Sequence, residues 1–321
     1  MNIMRAAVVT VGTLLSFNCF ATNSVDYPKE SIRMIMPYTP GGGADSLGRL
    51  MASKLIDTLK QQVIVENKPG ANTMIATDYV ANQKPDGYTI LYASSSLTIN
   101  PHIYKVRYDA EKDFAPVALL ADIPLVMVTN KNSPYQSIQD VIEQAKVKEK
   151  GLTYGSYGQG SAAHLAGAMF QNMTGTEILH IPFKGSSPAL VAVMGNHIDI
   201  GIVSLESALE SIKSGEIKAL GVFSKERVNS LQEVPAVTEI VPGCITVGWN
   251  AVVAPAGTKP EIVKILNEAI NKTLQTPELT AFFTNQGTVP ALYSPEKFAE
   301  IIRAENKKWG ELVKETNLRI E

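Results

Sequence analysis

Twice in this chain a short apolar run ends in a glycine-rich loop, and a stretch with helical spacing follows. Ser31–Pro37 runs into Tyr38-Thr39-Pro40-Gly41-Gly42-Gly43. Leu47, Leu50, Met51, Leu55 and Leu59 then mark an amphipathic helix over Asp45–Leu59. Leu152–Tyr157 runs into Gly158-Gln159-Gly160, and Ala162, Leu165, Ala166, Met169, Phe170 and Met173 repeat the helical spacing. Between them come strand Val63–Glu66, helix Ala71–Asn82, strand Tyr88–Ala93 ending at Ser94-Ser95-Ser96, and helix Ser137–Val147. Strand Ile178–Phe183, helix Pro188–Met194, strand Ile198–Val203, helix Leu205–Ser214 and strand Ile217–Phe223 complete the second unit. Gly195 and Gly215 stand where helices end. Such alternation predicts an α/β fold, with mostly parallel sheets flanked by helices.

Length turns one unit into two. A chain of 321 residues exceeds what one core usually serves, and two lobes of roughly 100–200 residues are expected. Apolar crossings near 121–128 and 246–254 would join them as a hinge. The division is 22–122 plus 252–321 for the first lobe and 123–251 for the second. Helices Lys259–Leu274, Glu278–Gln286 and Pro295–Thr316 close the chain, and the last could pack across both lobes. Ser294-Pro295-Glu296 is its start signal.

Residues 1–21 read as an export signal. Arg5 precedes an apolar run, Ala6–Leu15, too short to span a bilayer, and Cys19-Phe20-Ala21 supplies the cleavage region. Ser16-Phe17-Asn18 lacks the small residue expected before a lipidated cysteine. Cleavage near Ala21 would leave a soluble periplasmic protein with 28 cations against 31 anions and one thiol, Cys244, expected in the core. That charge excludes a basic nucleic-acid binder. Two cysteines and four histidines without ligand spacing offer no disulfide framework and no metal site.

The chemistry falls to the strand ends, where open α/β sheets hold their ligands. Thr39–Gly43, Ser94–Ser96 and Ser156–Ser161 are rich in backbone N–H groups and hydroxyls. Two of them open helices whose positive ends face the same place. A carboxylate held by neutral donors fits such a cleft. Asp45 would chiefly stabilise its helix end, and Ser161 would cap the next. His164 is either packed or a ligand contact, and Lys184 of Lys184-Gly185-Ser186 is either solvated or a cation of the cleft. Tyr38 and Tyr157 either wall the pocket or pack.

Enzyme motifs fit poorly. Gly158-Gln159-Gly160-Ser161-Ala162-Ala163 has the GxGxxA form, but the next strand ends in Lys184-Gly185 rather than the acid a ribose needs. Ser156 lacks the first glycine of a GxSxG elbow, and neither a phosphate-binding GxxxxGK[ST] loop nor a carboxylate pair is present. No catalytic residue and no cofactor are expected.

In order along nearly the whole mature chain, several segments match one family. They include PYTPGGGADSLGRL (37–50), VIVENKPGA (63–71), KPDGYTILYASSS (84–96), YDAEKDFAPVALLA (108–121), LTYGSYGQGSAAHLAG (152–167), HIPFKGSSPAL (180–190) and VVAPAGTKPEIVKILN (252–267). The chain resembles the substrate-binding proteins of tripartite tricarboxylate transporters, the Bug-type periplasmic receptors. That resemblance implies a two-lobe periplasmic binding fold of type II-like design. It implies capture of a di- or tricarboxylate, an acidic amino acid or an aromatic acid, and delivery to membrane permease subunits, by a monomer. Carried over by position, Thr39, Gly41, Gly42 and Gly43 with Ser94, Ser95 and Ser96 line one side. Ser156, Gly158, Ser161 and His164 line the other, with Tyr38, Asp45, Tyr157, Lys184, Gly185 and Ser204 around them. Two departures stand out. Asn72 and Thr73 replace the glycines that often follow PGA, and Val203-Ser204 stands where many members place an acid, which favours a plain organic acid. The rivals are an exported α/β enzyme on a small carboxylate or ester, and a receptor that signals to a sensor.

Overall fold

The computed structural model describes residues 26–41, 43–147 and 151–316. The export signal read at 1–21, with Cys19, lies outside the described residues, as does Gly42.

Apolar runs with helical punctuation build one long twisted path of strands. β1 (Ile32–Met36) lies between β2 (Val63–Asn67) and β3 (Thr89–Ser94), all parallel. Parallel neighbours need crossover connections. α1 (Gly43–Leu59) supplies one, and a 3₁₀ turn at Ala71–Thr73 leading into α2 (Met74–Ala81) supplies the next. α1 buries Leu47, Met51, Leu55 and Leu59, the face its spacing predicts. β9 (Val247–Pro255) then pairs antiparallel with β3 and with the first part of β4 (Phe114–Asn130).

β4 is one strand of 17 residues serving both halves of the molecule. Phe114–Pro124 pairs with β9. Beyond Pro124 the partners become β7 (Ile200–Ser204) and β8 (Ile217–Val222), both antiparallel. Its prolines sit where they break least. Pro116 is at a register shift, and Pro124 is the last residue paired with β9. β5 (Leu152–Ser156) lies parallel between β7 and β6 (Ile178–Pro182). α4 (Ile138–Lys146), α5 (Ala162–Thr174), α6 (Ser186–Met194) and α7 (Leu205–Lys213) connect these strands.

The apolar stretches read near 121–128 and 246–254 lie in β4 and β9, and β4 runs well beyond its stretch at the N-terminal side. α3 (Ser96–Ile103) was not expected. It is short, carries Pro101 inside, and is buried on nearly every face, so it shows no amphipathic spacing. Gly215 is left-handed (φ 74°) as a helix-terminating glycine, whereas Gly195 stays right-handed and Asn196 takes the left-handed position (φ 56°).

α8 (Pro260–Leu274) and α9 (Pro277–Asn285) pack on the first half. α10 (Pro295–Thr316) contributes to both halves: Phe298 and Ile302 join one first-half core, and Trp309, Leu312 and Val313 join a second-half core. Each such side chain, fully buried, stabilises by roughly 1.5–3 kcal/mol. Cys244 is fully buried, and burial pushes its thiol up to about 12. No helix among the described residues is long and apolar enough to cross a membrane.

Candidate functional site

Six helices begin on one cavity. It has a volume of about 690 Å³, within the range of small-molecule sites, and lies between the two halves of the sheet path. α1, α2 and α3 start on the first-half wall; α5, α6 and α7 start on the second. Helix starts carry unpaired N–H groups and a partial positive charge, so anions are favoured there.

The first wall is built from the 38–41 loop outward. Asp45, in the first turn of α1, accepts hydrogen bonds from Gly41 N (2.9 Å), Arg49 Nε (2.9 Å) and Asn67 Nδ2 (2.7 Å). Asn67 Nδ2 also donates to Tyr38 O (2.9 Å). The end of β2 thus ties the loop to the helix start. Burial acts to raise the Asp45 pKa, but these donors outweigh it and hold the carboxyl down at about 2. Ser94 ends β3 and α3 begins at Ser96. Ser94 Oγ, beside the Tyr38 hydroxyl, closes no hydrogen bond. Asn250 of β9 pairs across from Ser94 and lines the same floor.

In the second half, the glycine loop is held from beneath. Ser156 Oγ lies 2.7 Å from His180 Nε2 and 2.9 Å from Gly158 O. Ser161 Oγ donates to Gly158 O (2.6 Å) and caps α5 by accepting from His164 N (3.2 Å). His164 Nδ1 accepts from Gly160 N (3.0 Å), and its ring stacks on His180 with centroids 3.8 Å apart. Burial pushes His164 down to about 4. Burial and the neighbouring ring push His180 down to about 3, so both are neutral at pH 7. Above this layer, Ser186 and Ser204 hydroxyls lie 3.2 Å apart, and Ser204 meets Ser207 at 2.9 Å.

The structure brings Tyr38, Thr39, Gly43, Asp45, Ser94, Ser95, Ser96, Tyr157, Lys184, Gly185 and Ser204 to the cavity wall. Gly41 sits beside it, held by Asp45. Ser156, Gly158, Ser161 and His164 do not reach the wall, because their polar groups are turned into the loop and the histidine layer beneath it. Other lining residues escaped the sequence reading. Asn72 and Thr73 line the wall in left-handed conformations (φ 48° and 73°), which explains why glycines suit these positions. Asn250 interrupts an apolar run, and Ser186, Ser187 and Ser207 follow strand ends; both were usable signals. Most telling is Glu206. The end of the Ile198–Val203 strand was read as lacking an acid, yet the first turn of α7 delivers one to the cavity two residues beyond Ser204.

Comparison with known proteins gives consistent matches. The profile described as "Tripartite tricarboxylate transporter family receptor" matches residues 47–318. Protein BugT of Bordetella pertussis (strain Tohama I) is 36% identical over 329 residues, covering 100% of both chains. Among solved structures, an R. palustris protein with adipate is 32% identical, with a TM-score of 0.83 over 92% of this chain and 100% of that one. The periplasmic binding protein BugD is 29% identical, with a TM-score of 0.81 over 92% and 100%.

Proposed function

The chain belongs to the tripartite tricarboxylate transporter family of receptors, and from that premise we propose a specific division of labour. The protein is a solute-binding receptor. Exported to the periplasm and cleaved near Ala21, it captures a small organic carboxylate and delivers it to the membrane permease subunits of a tripartite tricarboxylate transporter. It acts as a monomer of two lobes, 22–122 plus 252–321 and 123–251, hinged at β4 and β9.

The observation that carries this reading is the convergence of six helix starts on one cavity between the two halves. Three helix starts on each wall favour an anion most when the walls approach, so ligand binding and closure are coupled. Hydroxyls and amides do most of the work, and Lys184 is the one lining cation among the described residues. An R. palustris relative is solved with adipate, a small organic carboxylate, which supports a carboxylate as the class of ligand.

Thermal melting of the mature protein against a panel of mono-, di- and tricarboxylates tests it. A ligand that binds only the native state stabilises it by mass action, by about 2.7 kcal/mol at a hundredfold excess over Kd, and so raises the melting temperature. A rise with at least one acid, confirmed by calorimetry, is the expected outcome. A flat panel, with turnover of an ester, would overturn the receptor assignment for this cavity.

A further inference from the structure

The cavity already contains a carboxylate of the chain's own. Glu206 stands in the first turn of α7 on the second wall and reaches the first: a Cβ placed on Gly43 would lie 3.3 Å from Glu206 Oε1. Among the described residues Glu206 makes no ion pair and no hydrogen bond. Lys184 lines the same cavity but lies farther than an ion pair allows, and Asp45 is engaged with Arg49. Its charge is felt by the phenols of Tyr38, Tyr92 and Tyr157, whose pKa values burial raises and the Glu206 carboxylate raises further. Crowding by the cleft walls raises the Glu206 pKa.

The start of α1 therefore faces an anion supplied by the protein. What remains for a ligand carboxylate is the cavity floor: the start of α3 with Ser94–Ser96, and Asn250 beside it. A ligand with a second carboxylate would bring it against Glu206 with no cation between them, and two like charges in one site disfavour each other strongly. A ligand that ends in a proton donor would instead satisfy an acceptor that has no partner.

We propose that Glu206 is a specificity-determining residue, and that the receptor selects a carboxylate bearing a hydrogen-bond donor, an ammonium or a hydroxyl, at the end facing α1. This deepens the carboxylate reading above and rests on it. Plain dicarboxylates are disfavoured by the same residue.

Calorimetry at pH 7 on the mature protein tests the proposal with adipate and the ω-amino and ω-hydroxy monocarboxylates of the same length, repeated at shorter lengths. The expected result is a preference of at least about tenfold for a donor-ended acid over the matched dicarboxylate. Glu206→Gln, which keeps the shape, should remove that preference, with the amino acids losing more than the hydroxy acids if the donor is an ammonium. Glu206→Ala serves as a second variant, and the unliganded melting temperature checks that each variant folds. Equal or tighter binding of dicarboxylates by the unaltered protein, or an unchanged ratio in Glu206→Gln, overturns this proposal alone. Binding of no acid by any of the proteins overturns the carboxylate reading and this proposal with it.

Discussion

Asp45 lines the cavity, yet one of its oxygens is taken by Gly41 N and Arg49 and the other by Asn67. Its place at the start of α1 was legible from the sequence, because an acid in a first turn is a helix-end signal. The bond to Asn67 was not, because it joins residues 22 apart that only the β1–β2 pairing brings together. Replacing it by Asn should cost roughly 1.5–3 kcal/mol of stability, the range for hydrogen bonds to a charged group, measured by urea unfolding. Its pH dependence follows from the sign of the shift. The folded carboxyl titrates at about 2 against 3.8, so its stabilisation is complete above about pH 4 and is lost as pH falls through 2. Ser94 makes the complementary case. Its hydroxyl closes no hydrogen bond among the described residues, so Ser94→Ala should leave the free protein as stable or more so. Carboxylate affinity should fall by about 1.5–3 kcal/mol in calorimetry. An unchanged affinity would remove Ser94 from the binding set.

At the scale of elements, the long periodic helices were readable and the short or strained ones were not. α1 and α5 announce themselves by apolar spacing, whereas α3 is too evenly buried to have a face. The turn entering α2 places Ala71, Asn72 and Thr73 all at positive φ, a strain that no single residue reveals. Ala71 is exposed, with φ 46°, so Ala71→Gly should raise stability by roughly 0.5–1 kcal/mol, read as a shift in the denaturant midpoint. A destabilised variant would contradict the strain. The stacked histidines beneath the 158–161 loop set a second expectation. Both are held neutral by burial, so their contribution is intact above about pH 6.5 and declines as pH falls towards 4. In His164→Gln the loss of stability between pH 6.5 and 4.5 should be smaller than in the unaltered protein. An equal loss would place the acid-sensitive groups elsewhere.

The whole molecule depends on contacts between halves that are distant in sequence. Tyr104, at the end of α3, donates its hydroxyl to Gln159 O (3.1 Å), and Asn72 reaches towards Gly160 O. Gly160 is left-handed, and a Cβ there would lie 2.9 Å from the Tyr104 ring. Gly160→Ala should therefore hold the halves apart. Ligand affinity should fall by about tenfold, with a larger radius of gyration in solution scattering. Unchanged scattering with unchanged affinity would show that this seam does not govern closure. Such seams escape sequence reading, since nothing local marks Tyr104 and Gly160 as neighbours. The two apolar crossings were legible, but their identity as antiparallel strands was not, because an apolar run fits a buried strand or helix equally well. The placing of β9 beside β3 also bears on how the chain comes into being. β3 ends at Ser94, but the strand that covers its open edge is the stretch Val247–Pro255. A chain emerging from its N-terminus cannot complete its first sheet until most of its length has been synthesised. The topology itself therefore delays the native state, because the edge of β3 stays open until β9 arrives.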